Sequence, residues 1–257
     1  MLYAMAATTL AGLATALGGA LGALRRPGRQ GMAFAMGFGA GVMLAVSLMD
    51  MLPGALGRYL AAFAPLRAGA MAASLVLLGL AAGWLLERAL PERALPEEAA
   101  FSAGGEEGRV LRSALVTALA LVGHNLPEGA MTLFASLDDP AVGLRLAVAI
   151  GLHNLPEGLA VALPVLYATK SRGRAFLAAL ASGLAEPAGA LLAFGVLGGR
   201  ITASLVTGMA ALVCGVMCWV SVAELLPTGL SLGRKEMTAA GFGAGLLAMT
   251  LGIALLS

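Results

Sequence analysis

The chain has 257 residues, of which 60% are hydrophobic and 12% charged, and its formal net charge is +2 at pH 7. Soluble domains carry about 25% charged residues, so this composition excludes an ordinary water-soluble protein and indicates a membrane protein. No basic cluster points to a nucleic-acid partner.

Eight apolar runs follow one another along the chain, each near the length of about 20 residues that a helix needs to cross the hydrocarbon core. The runs lack the alternating polarity of a membrane β-barrel, so they predict an all-α integral membrane protein with one transmembrane domain, residues 1–257. The first run has no positively charged start and is read as a retained helix. The predicted helices are 2–24, 32–56, 69–86, 113–136, 146–167, 175–197, 201–226 and 239–256.

The orientation of these helices follows from the basic residues in the connections. Twelve of the 16 Lys and Arg residues lie in the connections after helices one, three, five and seven. The positive-inside rule places these connections in the cytoplasm and both termini outside. The longest of them, residues 87–112, is rich in proline, glycine and glutamate, which predicts a flexible cytoplasmic loop.

Two segments of the chain are each repeated. Residues 123–129 read Gly-His-Asn-Leu-Pro-Glu-Gly and have a near-copy in 151–158, where His-Asn-Leu-Pro-Glu-Gly recurs at 153–158, and the two copies hold both histidines of the protein. Residues 41–53 recur in 215–227 with matching serine, acid and proline positions. In both cases the copies lie on helices that cross in opposite directions, so the pattern predicts inverted repeats, which are typical of transporters.

The first repeat places a histidine and a glutamate four residues apart twice, as His124 with Glu128 and His153 with Glu157. Residues at this spacing share one face of a helix, one turn apart. Imidazole and carboxylate groups are suitable ligands for a divalent metal. Two such half-sites on neighbouring helices would complete one metal site near the middle of the membrane, where transporters bind substrate.

Three further acids, Asp50, Glu186 and Glu224, fall inside predicted helices that hold no deep Lys or Arg to pair with them. A charge at the bilayer centre costs about 2.5–3.5 kcal/mol on insertion scales, so such acids require a partner or a function. Asp50 and Glu224 lie near opposite mouths, either as entry and exit points of an ion pathway or as polar anchors. Glu186 precedes Pro187 and repeats the acid-plus-proline pattern.

Other residues near the repeated motif have two interpretations each. Asn125 and Asn154 could supply amide oxygens to an ion or hydrogen-bond between helices. Met43, at the predicted midplane, could be a thioether ligand or a packing residue. Pro127 and Pro156 each remove one backbone hydrogen bond, which predicts a kink beside the site.

These motifs resemble the ZIP (Zrt/Irt-like) family of divalent metal transporters, and the resemblance covers essentially the whole chain. The duplicated His-Asn-Leu-Pro-Glu-Gly, with Ala-Ser-Gly-Leu-Ala-Glu-Pro at 181–187, is most similar to the family's bacterial ZupT-like and GufA-like branches. The resemblance implies a 3+2+3 arrangement of eight helices, a homodimer and a bacterial inner-membrane location. It also implies alternating-access transport of Zn²⁺ into the cytoplasm, with Fe²⁺, Mn²⁺ or Cd²⁺ carried by broader members. Zn²⁺ would be the transported substrate, and no cofactor is expected.

The resemblance also implies roles for individual residues. The primary ligands would be His124, Glu128, His153 and Glu157, joined by Met43. An adjoining second site would be formed or bordered by Asn125, Asn154 and Glu186. The residues along the ion pathway would be Asp50 and Glu224. Some members have Asp where this chain has Asn154, so a second site would carry one less negative charge here. The loop 87–112 contains no histidine, which makes metal sensing there unexpected.

A zinc-dependent intramembrane hydrolase is the alternative from another functional class, because bound zinc can activate water. It would need an open coordination position and an acid free to act as a base. The His-Glu-x-x-His motif is absent and the internal inversion favours transport, so we predict a transporter and not an enzyme. Within the transport class, a channel-like conduit remains the alternative to a carrier, and non-saturating flux would distinguish it.

Overall fold

The computed structural model describes residues 1–24, 27–89, 106–197 and 202–256. Within these ranges the chain is almost entirely helical and has no strand, which confirms the predicted all-α fold. The elements in chain order, with two π-helical turns named π1 and π2, are α1 (Leu2–Ala23), α2 (Arg29–Ala45), π1 (Val46–Met51), α3 (Leu52–Ala62), α4 (Pro65–Ala89), α5 (Glu106–Asp138), α6 (Pro140–Thr169), α7 (Arg172–Gly183), α8 (Ala185–Leu197), α9 (Ala203–Trp219), π2 (Val220–Leu225), α10 (Leu226–Ser231) and α11 (Lys235–Leu256).

Seven helical stretches of the described chain are long and apolar enough to cross a membrane, which confirms a multi-pass membrane protein. They are Leu2–Ala23, Arg29–Ala62, Pro65–Arg88, Pro140–Thr169, Arg172–Val196, Ser204–Ser231 and Lys235–Leu255. The predicted fourth helix, 113–136, lies within α5, which is not among the seven.

The helix α5 begins earlier than predicted. Its first residue is Glu106, so residues 106–112 are helical where the sequence predicted a loop. This short segment has a polar composition but contains no proline, and nothing in it prevents the backbone from continuing the helix. Residues 90–105 of the predicted loop lie outside the described residues.

A tight turn holds α5 and α6 side by side. Asp139 is the N-cap of α6, and its Oδ1 accepts hydrogen bonds from the backbone N–H groups of Ala141, at 2.8 Å, and Val142, at 3.3 Å. Pro140 follows at the first helical position, where its missing N–H costs nothing. The two motif-bearing helices are therefore antiparallel neighbours.

The helices form two bundles that pack against each other. The motif bundle consists of α1 and α5–α8, with α1 packed along α6 and α5 packed on both α6 and α8. The flanking bundle consists of α2–α4 and α9–α11, in which α2 packs along α11 and α4 packs along α9. The seam between the bundles is formed mainly by α2 against α6 and by α9 against α5.

The two copies of the second repeat adopt the same interrupted helix. Residues 46–51 and 220–225 widen into π1 and π2, and each turn is followed at once by a Leu-Pro pair. A proline cannot donate the backbone hydrogen bond of a regular helix, and π turns accommodate such an interruption. The predicted helices 32–56 and 201–226 contain these π turns, which the sequence pattern did not predict.

The sixth predicted helix, 175–197, is also interrupted, at Leu184 between α7 and α8. Pro187 lacks the N–H that would bond to the carbonyl of Gly183, so the helix is weakened at this point. By contrast, α5 and α6 run through Pro127 and Pro156 as single helices. The break beside the motifs is therefore in α7–α8, where Glu186 begins the new helix.

Candidate metal centre

The four residues of the paired motif are buried together where α5 crosses α6. His124 and Glu128 lie on α5, His153 and Glu157 lie on α6, and none is more than 5% exposed. The i,i+4 spacing places each pair on one helix face, and the tight turn at Asp139 brings those faces together. The expected convergence of the two half-sites is therefore seen in the structure.

The pairing between the helices is crossed. His124 Nε2 lies 3.3 Å from Glu157 Oε2, and His153 Nε2 lies 3.6 Å from Glu128 Oε1. Each imidazole thus approaches the carboxylate of the other motif and not the one four residues away on its own helix. The four side chains form one cluster with donor atoms from both helices.

Several buried polar atoms in this region have no hydrogen-bond partner among the described residues. Eleven such side-chain atoms are found in the described chain, and five of them are hydroxyl oxygens of serine and threonine. The other six belong to the predicted site: Asn125 Oδ1, Glu128 Oε2, His153 Nε2, Asn154 Oδ1, Glu157 Oε1 and Glu186 Oε2. A buried donor or acceptor without a partner costs about 1–3 kcal/mol, so the concentration of such atoms here indicates a ligand site.

The two asparagines are held by hydrogen bonds to neighbouring helices. Asn125 Nδ2 donates to the carbonyl oxygen of Ser182 at 2.9 Å, and Asn154 Nδ2 donates to the carbonyl oxygen of Ala11 at 3.0 Å. Asn154 Nδ2 also donates to Glu186 Oε1. These bonds use the amide nitrogens, and both Oδ1 atoms have no hydrogen-bond partner among the described residues. The interhelical hydrogen bonds therefore exist, and they leave the oxygens available as ligands.

The last glycine of each motif allows the closest helix contacts around the site. A Cβ on Gly129 would collide with the backbone of Glu186 on α8, and a Cβ on Gly158 would collide with the carbonyl of Thr15 on α1. Only glycine permits this approach of one backbone to another. The motif glycines thus bring α8 against α5 and α1 against α6.

The remaining predicted residues lie in different places. Met43 is 1% exposed and belongs to a large apolar cluster that spans both bundles, since it also contains Leu121 and Met131 of α5 and Val161 of α6. Asp50 lies in π1 and is exposed, whereas Glu224 lies in π2 and is 5% exposed. The two acids occupy equivalent repeat positions but differ in burial.

The ligand set itself remains a prediction. In the described part of the chain, no group of three or more His, Cys, Asp or Glu side chains is already arranged to hold a metal ion. The donors present are nitrogen and oxygen atoms of the kind that zinc and related cations bind, and they lie on separate helices.

Sequence reasoning missed the groups that support these donors. The backbone carbonyls of Ala11 and Ser182 gave no signal, because every residue has a backbone carbonyl and the sequence does not mark which one accepts a side-chain hydrogen bond. Glycine in the repeated motif was a visible signal for the close approach of α1 and α8, and it was not interpreted in that way.

Comparison with known proteins shows the family of the chain. Residues 87–257 match the family model described as ZIP zinc transporter. A protein named zinc transporter ZupT from Corynebacterium glutamicum is 40% identical over 99% of both chains. Proteins of the same name are 36% identical in Stenotrophomonas maltophilia, over 98% of this chain and 95% of that protein, and in Chlorobium phaeovibrioides, over 99% and 98%. The hydrolase alternative finds no support in these comparisons, and the chain belongs to the ZIP zinc transporter family.

Proposed function

We propose that this chain carries Zn²⁺ across the cell membrane into the cytoplasm through the cluster formed by His124, Glu128, His153 and Glu157. The observation that carries the proposal is the set of six buried donor atoms without a hydrogen-bond partner on α5, α6 and α8, of which His153 Nε2 lies 3.6 Å from Glu128 Oε1. A divalent cation would satisfy these atoms, which have no hydrogen-bond partner among the described residues. The zinc transporter names of relatives that match nearly the full chain support zinc as the cargo.

The primary site would use two imidazoles and two carboxylates, with Met43 as a further candidate ligand. Bound imidazole must be neutral and bound carboxylate ionised, so the two glutamates would balance the charge of one divalent ion. Fe²⁺, Mn²⁺ and Cd²⁺ are further candidates, because nitrogen and oxygen ligands accept all of them and geometry sets the choice.

Glu186, Asn125 and Asn154 would form an adjoining second position for the ion. Asn154 and Glu186 are already hydrogen-bonded to each other, so this position is assembled across α6 and α8. It holds one carboxylate, and the amide oxygens add no charge. We therefore propose that the second position receives the ion in passage and does not hold a permanent second metal.

The proposed architecture has eight membrane helices in one domain, in a 3+2+3 inverted repeat with both termini outside. The matching positions of π1 and π2 support the equivalence of the second and seventh helices. Contacts around the two motifs support the equivalence of the first and sixth helices. Asn125 bonds to Ser182 as Asn154 bonds to Ala11, and these two acceptors are 171 residues apart.

Transport would proceed by alternating access, with the motif bundle moving against the flanking bundle along the seam between them. The cluster lies close to this seam, because α5 and α6 supply both the ligands and the surfaces that meet α9 and α2. Asp50 and Glu224, at equivalent positions in π1 and π2, would guide the ion at the two mouths. A homodimer in the bacterial inner membrane is the proposed assembly.

The test is Zn²⁺ uptake into proteoliposomes that contain wild-type protein or the His153→Ala/Glu157→Ala variant. Glu236→Ala, at an exposed position of α11, is the matched control for a lost glutamate. Saturable uptake in wild type and control, lost in the double variant, is the expected result. Folded wild-type protein that moves no divalent metal would overturn the transport proposal, and linear flux would replace the carrier with a channel.

A further inference from the structure

Thr15 of α1 is a buried threonine whose hydroxyl group, unlike those of Thr8 and Thr9 on the same helix, makes no hydrogen bond to the backbone of its own helix. Thr8 and Thr9 each donate to the backbone carbonyl four residues earlier, at 3.0 Å and 2.7 Å. This bond is the usual arrangement for a threonine inside a helix. Thr15 is 0% exposed, and its Oγ1 has no hydrogen-bond partner among the described residues.

The reason lies in the motif on α6. The carbonyl four residues before Thr15 is that of Ala11, and this carbonyl accepts the hydrogen bond from Asn154 Nδ2. The motif asparagine therefore occupies the acceptor that Thr15 would otherwise use. The hydroxyl is left buried in a bilayer-spanning helix, where water does not supply a partner.

The position of Thr15 in the internal symmetry is informative. Contacts that α1 makes with the second motif match contacts that α7 and α8 make with the first. Gly18 approaches the carbonyl of Leu155, and Gly189 approaches the carbonyl of Leu126, which is the equivalent residue of the earlier motif copy. The same offset of 171 residues that relates Gly18 to Gly189 relates Thr15 to Glu186.

Thr15 also lies against the residues that surround the site. Its carbonyl meets Gly158, the residue after Glu157, and a Cβ placed on Gly183 would lie 3.1 Å from Thr15 Cβ. On the opposite side of the same crossing, a Cβ placed on Gly12 would lie 3.3 Å from Glu186 Cβ. Thr15 and Glu186 therefore occupy one layer of the motif bundle, on its two symmetry-related sides.

We propose that the Thr15 hydroxyl is a neutral oxygen ligand of the transported ion, opposite Glu186 in the second position. This inference rests on the proposed transport function and adds a residue that helps to determine which cation passes. The internal symmetry that relates Thr15 to Glu186 relates Asn125 to Asn154, the hydrogen-bond partner of Glu186, and Asn125 Oδ1 has no hydrogen-bond partner among the described residues. The ion would then be surrounded by oxygen atoms from α1, α5, α6 and α8.

A hydroxyl oxygen is a hard ligand, so its loss affects a hard cation more than a soft one. Thr15→Val keeps the shape of the side chain and removes only the oxygen. We expect this variant to raise the KM for Mn²⁺ about tenfold, in the range known for groups that support a metal site, and to raise the KM for Cd²⁺ much less. Thr15→Ser, which restores the hydroxyl, should return both values towards wild type.

The matched control is Thr8→Val, which removes an equally buried hydroxyl from the same helix. Equal effects of Thr15→Val and Thr8→Val on the ratio of the two KM values would overturn the proposal, as would a failure of Thr15→Ser to rescue. If Thr15→Val does not fold, Thr15→Ala is compared with Thr8→Ala in the same assay. Wild-type uptake that is lost in His153→Ala/Glu157→Ala tests the transport function separately from the role of Thr15. A failure of the transport proposal is therefore distinguished from a failure of the Thr15 proposal.

Discussion

His124 lies against Glu157 of the neighbouring helix, with 3.3 Å between Nε2 and Oε2, and not against Glu128 of its own motif. The reciprocal approach of His153 to Glu128 makes the arrangement symmetric. The repeated motif is therefore not two separate half-sites placed side by side. Each copy supplies a histidine to one pair and a glutamate to the other, so neither copy is complete without its partner helix.

The crossed arrangement predicts that either motif alone fails to hold the ion. Glu128→Gln and Glu157→Gln keep the side-chain shape and remove one charged ligand each, and each should weaken Zn²⁺ binding by more than about tenfold. Titration of purified protein against a zinc chelator measures the affinity. Glu236→Gln on the exposed surface of α11 should leave it unchanged. An unchanged affinity in either motif variant would remove that glutamate from the ligand set.

The motif glycines should be required for folding as much as for transport. Gly129→Ala and Gly158→Ala place a methyl group into the backbones of Glu186 and Thr15, and overpacking of this kind typically costs about 1–3 kcal/mol. We expect both variants to lower the thermal unfolding midpoint. Gly123→Ala is the matched control, because a Cβ at that position meets nothing within 4 Å. Equal midpoints in all three variants would contradict the proposed close approach.

Asn154 should act by joining three helices. Asn154→Ala removes the hydrogen bonds to the Ala11 carbonyl and to Glu186, so α6 loses these two bonds to α1 and α8. Loss of such supporting bonds typically weakens metal affinity by about 10–100-fold. The measurement is equilibrium Zn²⁺ binding together with the unfolding midpoint. A variant with wild-type affinity and stability would show that the amide has neither role.

Acidification should weaken zinc binding. The ligands must be deprotonated to hold the ion, so binding releases protons and becomes less favourable as the proton concentration rises. Calorimetry in buffers of different ionisation enthalpy counts the protons released per Zn²⁺. We expect net release in wild type and a smaller number in His153→Ala. Zinc affinity that does not change between neutral and mildly acidic buffer would contradict ligation by imidazole.

Glu224 should affect the rate of transport more than the affinity of the site. It is buried in π2, which packs on α2 and α5, and its proposed role is to guide the ion at one mouth. Glu224→Gln should lower the maximal uptake rate several-fold and leave equilibrium zinc binding within about twofold. The reason is that Glu224 would act on the passage of the ion and would not be one of its ligands in the central site. Equal losses in rate and affinity would place Glu224 in the site itself.

The sequence predicted the parts of this protein that depend on residue type and spacing. The i,i+4 histidine and glutamate pairs led directly to the buried cluster, and the odd helix separation of the repeats predicted the symmetric contacts of α5 and α6. The placement of Glu186 beside the motif was expected from the resemblance to the ZIP family, whereas the residues alone showed only an unpaired acid beside a proline. The first two inferences depend only on residue types and their spacing, which the sequence gives directly.

The features that were missed depend on backbone geometry. The π turns before Pro53 and Pro227 keep the same apolar pattern as a regular helix, so periodicity does not reveal them. The break fell at Leu184, although Pro127 and Pro156 gave the same signal and their helices continue. Tertiary packing decides which proline interrupts a helix. The crossed pairing of His124 with Glu157 also depends on the rotation of α5 against α6, which the sequence does not specify.

The most direct test of the central claim is zinc X-ray absorption spectroscopy of the loaded protein, because it reports the ligands of the bound ion. The account predicts scattering from two imidazole rings, with nitrogen and oxygen ligands at about 2.0–2.2 Å. His124→Ala/His153→Ala should lose the imidazole contribution and zinc uptake together. Bound zinc without an imidazole ligand, in wild-type protein that transports it, would contradict the proposed site.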